Sequence, residues 1–229
     1  MSRYTTLLLD ADGTLLDFNA AERQALINLY SKNNIEVTEE NLAAYSRINL
    51  MMWKLLEKGE ISKQQLISER FSILFKELGL NRNDGEELSL KYGLELQKQC
   101  QLISGALGTV IELSKQYELV IITNGNASTQ HDRLRDSGLI PYMKHVFISD
   151  EMGVQKPRKE FFEEVMKVID EKNPARLLVV GDSLSSDIQG ANNAGLDSCW
   201  INPEHVQAPK ENSPTYIIEN INEIFSVLK

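Results

Sequence analysis

The sequence is poor in several features that define other classes of protein. Only two of its 229 residues are cysteines, and Cys100 and Cys199 lie far apart without metal-ligand spacing. No run of about 18 apolar residues occurs, so no membrane-spanning helix is predicted. Positive charge is also scarce, because 33 acidic residues oppose 24 basic ones and leave a net charge of −9. This balance argues against a surface that binds polymeric nucleic acid.

The start of the chain leads directly into an apolar segment after Met1-Ser2-Arg3-Tyr4. We therefore expect no signal peptide, two free thiols and a cytoplasmic location. With 229 residues and 42% hydrophobic content, the chain suits one large domain or a core with a modest insertion.

Six short apolar segments have the composition of strands, and helical patterns such as Ala127–Ser137 and Lys159–Lys172 separate most of them. The segments are Thr5–Asp10, Leu119–Thr123, Val146–Ser149, Leu177–Gly181, Ser198–Asn202 and Tyr216–Ile218. Alternating strands and helices predict an α/β fold, with a parallel sheet covered by helices on both faces.

The long interval between the first two strands contains helical patterns only. Its predicted helices are Ala20–Ser31, a helix from an N-cap at Thr38 through Lys58, one that follows a Ser62/Gln65 capping box, and one from an Asp84/Glu87 capping box through about Leu102. We therefore predict a helical insertion over residues 17–100 between the core segments 1–16 and 101–229.

Two carboxylates follow the first apolar segment, in Asp10-Ala11-Asp12-Gly13-Thr14. Residues two apart share a face of an extended chain, so Asp10 and Asp12 can reach one ligand. The carboxyl ends of the strands are where open α/β sheets place their chemistry. Taken alone, the segment is also compatible with a strand that ends in an Asx turn.

Another apolar strand ends in Thr123-Asn124-Gly125, directly before a helical pattern. The Thr123 hydroxyl can donate to a phosphate oxygen, and the backbone N–H groups of Asn124 and Gly125 lie near a helix N-terminus, which favours anions. Many ordinary turns have the same composition.

Two further segments complete the constellation. Lys156 precedes Pro157, and by itself would be a solvated surface lysine. A fourth apolar strand ends in Gly181-Asp182, and Asp187 follows five residues later. Carboxylates of this kind suit Mg²⁺. A turn at Asp182 and a helix cap at Asp187 explain each residue singly, but not why three strands all end in oxygen ligands.

These four segments, in this order, resemble the motifs of the haloacid dehalogenase-like hydrolase superfamily over essentially the whole chain. The resemblance implies a Rossmann-like sheet with central order 5-4-1-2-3 and an inserted helical cap domain. It further implies that Asp10 is the nucleophile and Asp12 the general acid/base. The implied phosphate contacts are Thr123, Asn124, Gly125 and Lys156, and the implied Mg²⁺ ligands are Asp10, the backbone carbonyl of Asp12, and Asp182, with Asp187 completing or supporting the site.

The implied chemistry agrees with a count of charges. Ionised Asp10, Asp182 and Asp187 carry three negative charges, which Mg²⁺ and Lys156 balance before a phosphate arrives. Asp10 would then form an aspartyl-phosphate. Asp12 would protonate the leaving oxygen and later deprotonate the hydrolytic water. Dehalogenating members of the superfamily generally lack an acid at this position, so Asp12 favours phosphoryl transfer.

A narrower resemblance is to bacterial pyrimidine 5′-nucleotidases. It rests on Tyr45-Ser46-Arg47-Ile48-Asn49 with Trp53, on Gly59-Glu60-Ile61 leading to Arg70-Phe71, on Thr123-Asn124-Gly125, and on Cys199-Trp200-Ile201-Asn202. It implies a nucleoside monophosphate substrate. By its chemistry, Asn49 can read a pyrimidine edge, and Trp53, with Tyr45 as the alternative, can stack on the base. Ordinary packing within the helical insertion is the alternative for these side chains.

Three other functions remain open from the sequence. They are a phosphoglycolate or sugar-phosphate phosphatase, a mutase for phosphorylated sugars, and a non-catalytic phosphate-sensing module. All of them require a small phosphorylated metabolite as the partner, and none requires a nucleic acid polymer or a membrane.

Overall fold

A computed structural model of the chain describes residues 3–229. The chain divides into two compact units. The core unit holds the described residues up to Phe18 together with Cys100–Lys229, and the helical unit is Asn19–Gln99. Within residues 3–229, every helix is too short or too polar to cross a membrane.

The core unit is built on one six-stranded sheet in which all the paired strands are parallel. The strands are β1 (Thr6–Leu9), β2 (Glu118–Thr123), β3 (His145–Ile148), β4 (Leu177–Gly181), β5 (Asp197–Ile201) and β6 (Tyr216–Ile218). Their order is β3-β2-β1-β4-β5-β6. The predicted central order is therefore confirmed, and β6 extends the sheet beyond β5.

Side chains alternate between the two faces of the sheet along each strand, and both faces are apolar here. Helices therefore cover both faces. Leu7 and Leu9 of β1 pack on one face, and Leu8 packs on the other. The helices of the core unit are α5 (Ala106–Leu113), α6 (Ala127–Asp136), α7 (Ser149–Met152), α8 (Lys159–Val168), α9 (Gln189–Ala194) and α10 (Ile224–Val227). Residues of α5, α6 and α10 pack with Leu7 and Leu9, whereas those of α8 and α9 pack with Leu8. The predicted two-sided cover is confirmed.

Four helices span the segment between β1 and α5. They are α1 (Phe18–Lys32), α2 (Glu39–Glu57), α3 (Lys63–Glu77) and α4 (Gly85–Leu96). The predicted caps at the starts of α2 and α3 are confirmed. Thr38 accepts the N–H of Asn41, and Ser62 and Gln65 make both halves of a capping box.

Three predicted helix features are wrong. Helix α4 ends at Leu96 rather than near Leu102, and Asp84 makes no side-chain cap bond because its carboxylate accepts from Arg82 at 2.9 Å. Helix α8 ends at Val168 rather than Lys172. The ammonium of Lys172 instead folds back and donates to the carbonyl of Met166 at 2.8 Å, which satisfies a carbonyl in the last turn.

Candidate active site

The ends of β1 and β4 bring three carboxylates together. Leu9 lies opposite Val180 in the parallel ladder, and the N–H of Asp10 donates to the Val180 carbonyl at 2.9 Å. One carboxylate oxygen each from Asp10, Asp182 and Asp187 lie within 4.8 Å of one another. These three residues form what we call the carboxylate cluster, and such a set of oxygen donors suits a hard divalent cation.

Lys156 lies inside this cluster and is not a surface lysine. Its ammonium donates to Asp10 at 2.6 Å, to Asp187 at 2.7 Å and to the Ile122 carbonyl at 2.9 Å. The side chain is only 1% exposed. Burial lowers the pKa of Lys156, but the charges of Asp10 and Asp187 outweigh burial, and the net shift is upward. Lys156 is therefore a charged lysine that holds two of the three carboxylates.

The carboxylate cluster still carries more negative charge than Lys156 can balance. Burial raises the pKa of Asp10 well above its ordinary value, Lys156 lowers it, and the charges of Asp187 and Asp182 raise it further. Asp182 is exposed, yet one of its carboxylate oxygens lies within 4.8 Å of oxygens of Asp10 and Asp187. Partial desolvation and repulsion from Asp187 raise the pKa of Asp182 above its ordinary value. The site thus favours one more positive charge next to these groups.

Local backbone features fix the directions of these carboxylates. Asp187 lies in the helical turn Leu184–Ile188 and accepts the N–H of Ser183 at 3.1 Å. The indole N–H of Trp200 donates to the Asp182 carbonyl at 2.8 Å. Gly13 has φ +82°, and a Cβ at this position would overlap the Asp182 carboxylate. Glycine at position 13 therefore permits the close approach of Asp182 to the end of β1.

The last residue of β2 and the segment that follows it contact the groups around the carboxylate cluster. The Asn124 side chain makes a reciprocal pair with the backbone of Lys156, donating at 2.8 Å and accepting at 3.0 Å. The structure thus gives Asn124 a role in holding the lysine. Thr123 Oγ1 accepts from the Gly125 N–H at 3.2 Å and from Gln130 at 2.7 Å. Because the hydroxyl accepts twice, its own hydrogen is available to a third partner.

Asp12 lies beside two residues that the sequence analysis did not single out. Arg133 donates to Asp12 Oδ1 at 2.6 Å, and Gln130 donates to Oδ2 at 2.8 Å. Both residues come from α6, the helix that follows Thr123 in the chain. Their spacing of three residues places them on one face of that helix. This spacing, together with the position of α6 directly after a functional strand end, is the signal that could have indicated them.

The two predicted base contacts lie on α2 of the helical unit. Asn49 is buried, donates to Glu22 at 2.9 Å and accepts from Arg70 at 3.3 Å. Its amide is therefore engaged within the unit. Trp53 is half-buried. Contact of either side chain with a base stays a prediction.

The chain belongs to the haloacid dehalogenase-like hydrolase family, whose sequence model matches residues 4–195. The family resemblance inferred from the four motifs is thereby confirmed, and the protein is a hydrolase of this family.

Three relatives show which members of the family this chain is similar to. Pyrimidine 5′-nucleotidase PynA of Streptococcus pneumoniae (strain ATCC BAA-255 / R6) is 40% identical over 228 residues, or 98% of this chain and 95% of that protein. Pyrimidine 5′-nucleotidase YjjG of Escherichia coli (strain K12) is 29% identical, over 99% of this chain and 98% of its own. The orthorhombic crystal structure of the HAD-hydrolase YfnB from Bacillus subtilis, bound to magnesium, matches with a TM-score of 0.95 at 43% identity and covers 99% of each chain.

Proposed function

We propose that this hydrolase is a magnesium-dependent phosphatase that releases phosphate from nucleoside 5′-monophosphates, with pyrimidine nucleotides as its preferred substrates. The observation that carries the proposal is the buried contact of Asp10 with Lys156 inside the carboxylate cluster, at the ends of two adjoining strands. The similarity to PynA and YjjG over nearly the whole chain supports a nucleotide as the substrate.

The donor chemistry of the carboxylate cluster fits Mg²⁺. We assign Asp10, Asp182 and the backbone carbonyl of Asp12 as its ligands. Asp187 already accepts from Lys156 and from the Ser183 N–H, which favours a supporting position for it behind the ligands. When bound, the metal ion supplies the positive charge that reduces repulsion between these carboxylates and a phosphate dianion.

In the proposed reaction, a carboxylate oxygen of Asp10 attacks the phosphorus atom, and the bond from phosphorus to the nucleoside oxygen breaks. Asp12 gives its proton to that leaving oxygen. Asp12 then takes a proton from a water molecule, whose oxygen attacks the phosphorus of the aspartyl-phosphate. Inorganic phosphate leaves, and Asp10 is regenerated. Lys156 holds Asp10 in position through both steps.

The segment after β2 is the proposed phosphate-binding side. Thr123 Oγ1 accepts two hydrogen bonds, so its hydrogen can be donated to a phosphate oxygen. The backbone N–H groups of Asn124 and Gly125 lie three and two residues, respectively, before the first residue of α6. Together with the Lys156 ammonium, they provide positive and partial positive charge for a dianion.

We assign leaving-group selection to the helical unit, acting as a cap. Trp53 is its proposed stacking residue, because this large aromatic side chain of α2 is not fully buried. Trp53→Ala is expected to raise KM for dUMP by about 10-fold while leaving KM for a small phosphate ester nearly unchanged. Asn49→Ala is the comparison variant, since the Asn49 amide is engaged by Glu22 and Arg70.

The deciding experiment measures phosphate release from pyrimidine and purine nucleoside monophosphates, phosphoglycolate and sugar phosphates, in Mg²⁺ or in EDTA. We expect metal-dependent preference for dUMP, dTMP or UMP, and no turnover by Asp10→Asn. Preference for small phosphates would retain the chemistry and reject the nucleotide assignment. Transfer of phosphate to a second sugar hydroxyl would indicate a mutase, and no turnover of any ester would reject the phosphatase.

A further inference from the structure

The carboxylate of Asp12 is held on both oxygens by side chains of one helix. Arg133 Nη1 donates to Oδ1 at 2.6 Å, and Gln130 Nε2 donates to Oδ2 at 2.8 Å. The Arg133 side chain is 1% exposed, whereas that of Asp12 is 26% exposed. The carboxylate is therefore fixed from the interior and keeps one side accessible.

Gln130 and Arg133 also bond to each other, so the three side chains form a closed network. Arg133 Nη1 donates to Gln130 Oε1 at 3.1 Å, which sets the orientation of the amide. In that orientation, Gln130 Nε2 donates both to Asp12 and, at 2.7 Å, to Thr123 Oγ1. One amide group thus connects Asp12 with the hydroxyl that we assign to phosphate binding.

The fold makes specific room for this network. A Cβ on Gly125 would overlap the Gln130 side chain, so glycine at position 125 allows Gln130 to reach its partners. The other arginine of α6 behaves differently. Arg135 is 64% exposed and pairs with Asp132 and Asp136 of its own helix. Arg133 is instead 1% exposed where it pairs with Asp12, a degree of burial that a simple surface ion pair would not require.

We propose that Gln130 and Arg133 are positioning residues for Asp12. They hold its carboxylate in one rotamer, with the accessible side free for proton transfer, and Gln130 links that rotamer to Thr123. This inference rests on the proposed function, in which Asp12 exchanges a proton with the leaving oxygen and then with water. Neither residue touches the reacting atoms, so the loss of either should affect the proton-transfer steps more than substrate binding.

The dependence of rate on the leaving group tests this assignment. A nucleoside oxygen needs a proton as it leaves, whereas p-nitrophenolate does not. Gln130→Met and Arg133→Met are expected to lower kcat for dUMP by about 10- to 100-fold with KM changed less than about 3-fold. First-turnover release of p-nitrophenol, which reports phosphorylation of Asp10 alone, should fall less than about 3-fold. Arg135→Met is the matched control and should behave as the wild type.

A second measurement asks whether Arg133 acts through Asp12. In an Asp12→Asn background, Arg133→Met should cause no further loss of kcat, because the carboxylate that it positions is already gone. A loss of first-turnover p-nitrophenol release as large as the loss of kcat for dUMP, or fully additive losses in the double variant, would overturn the proposal. If Arg133→Met does not fold, as judged by thermal melting, Gln130→Met in both backgrounds gives the same test. A wild-type enzyme that hydrolyses no phosphate ester would instead refute the proposed function.

Discussion

At the scale of single residues, the carboxylate cluster depends on a glycine as much as on its charged groups. Gly13 adopts φ +82°, in the left-handed region that side chains disfavour. Its missing Cβ leaves the volume that the Asp182 carboxylate occupies. A methyl group here would therefore move a proposed metal ligand without removing any donor atom.

Gly13→Ala is expected to weaken Mg²⁺ binding by about 10-fold or more, because displacement of Asp182 disturbs the donor set. Isothermal titration calorimetry with MgCl₂ measures this effect. Gly138→Ala is a matched control, since Gly138 has φ +77° and no atom within 4 Å of an added Cβ. Both variants should lose about 1–2 kcal/mol of stability from backbone strain. Equal Mg²⁺ affinities in the two variants would show that Asp182 does not bind the metal.

At the scale of elements, one buried polar network joins all four helices of the helical unit. Glu22 of α1 accepts from Asn49 of α2, Asn49 accepts from Arg70 of α3, and Arg70 donates to Ser89 of α4 at 2.8 Å. The Arg70 guanidinium also lies 4.7 Å from the centre of the Tyr92 ring. Because buried charges are costly without partners, this network defines how the four helices pack.

Glu22 gives this network a defined pH dependence. Burial raises the pKa of Glu22 above its ordinary value, although hydrogen bonds from Ser46 and Asn49 and the charge of Arg70 oppose the shift. Between the ordinary pKa of a glutamate and the raised pKa of Glu22, the folded protein holds a proton that the unfolded chain has released, so this group's contribution to stability falls as pH rises. As pH rises through that interval, Glu22→Gln should gain stability relative to the wild type.

Urea denaturation at a series of pH values measures that difference. Glu36→Gln serves as the control, because Glu36 is an exposed carboxylate of the same unit. Its stability relative to the wild type should show little change across the same range. A Glu22→Gln difference that is flat, or that falls with pH, would refute the argued effect of burial.

At the scale of the whole molecule, negative charge is in excess both overall and at the candidate site. The chain carries a net charge of −9, and three clustered carboxylates face one ammonium. A divalent cation that binds only the folded state should therefore raise stability by mass action. In the proposed function, the same cation would prepare the site for an anionic substrate.

Addition of Mg²⁺ at about 100 times its dissociation constant is expected to raise the free energy of unfolding by about 2.7 kcal/mol, and EDTA should reverse the gain. Thermal melting with and without MgCl₂ follows this change. Asp182→Asn should abolish the response, whereas Asp170→Asn, which alters a carboxylate 78% exposed elsewhere in the core unit, should retain it. An undiminished response in Asp182→Asn would place the metal at another site.

Local patterns were sufficient for much of the fold. The apolar segments around β1, β2 and β4 and the caps at Thr38 and Ser62 depend on residues close in sequence, and they match the structure within a residue or so. The predicted capping box at Asp84 and the predicted end of α8 are wrong, because Asp84 bonds to Arg82 and Lys172 folds back onto carbonyls of the preceding turn. A side chain with two possible local partners cannot be assigned from its type alone.

What the sequence by itself determined is the set of groups at the strand ends, since Asp10, Thr123 and Asp182 follow apolar strands directly and a parallel sheet aligns those ends. Only the tertiary structure decided which other charged residues join them. Arg133 and Arg135 lie two positions apart on one helix, yet one is buried against Asp12 and the other lies in solvent. The physical reason is that helical periodicity turns neighbouring positions to different faces, and the packing of α6 against the sheet selects the face that meets β1.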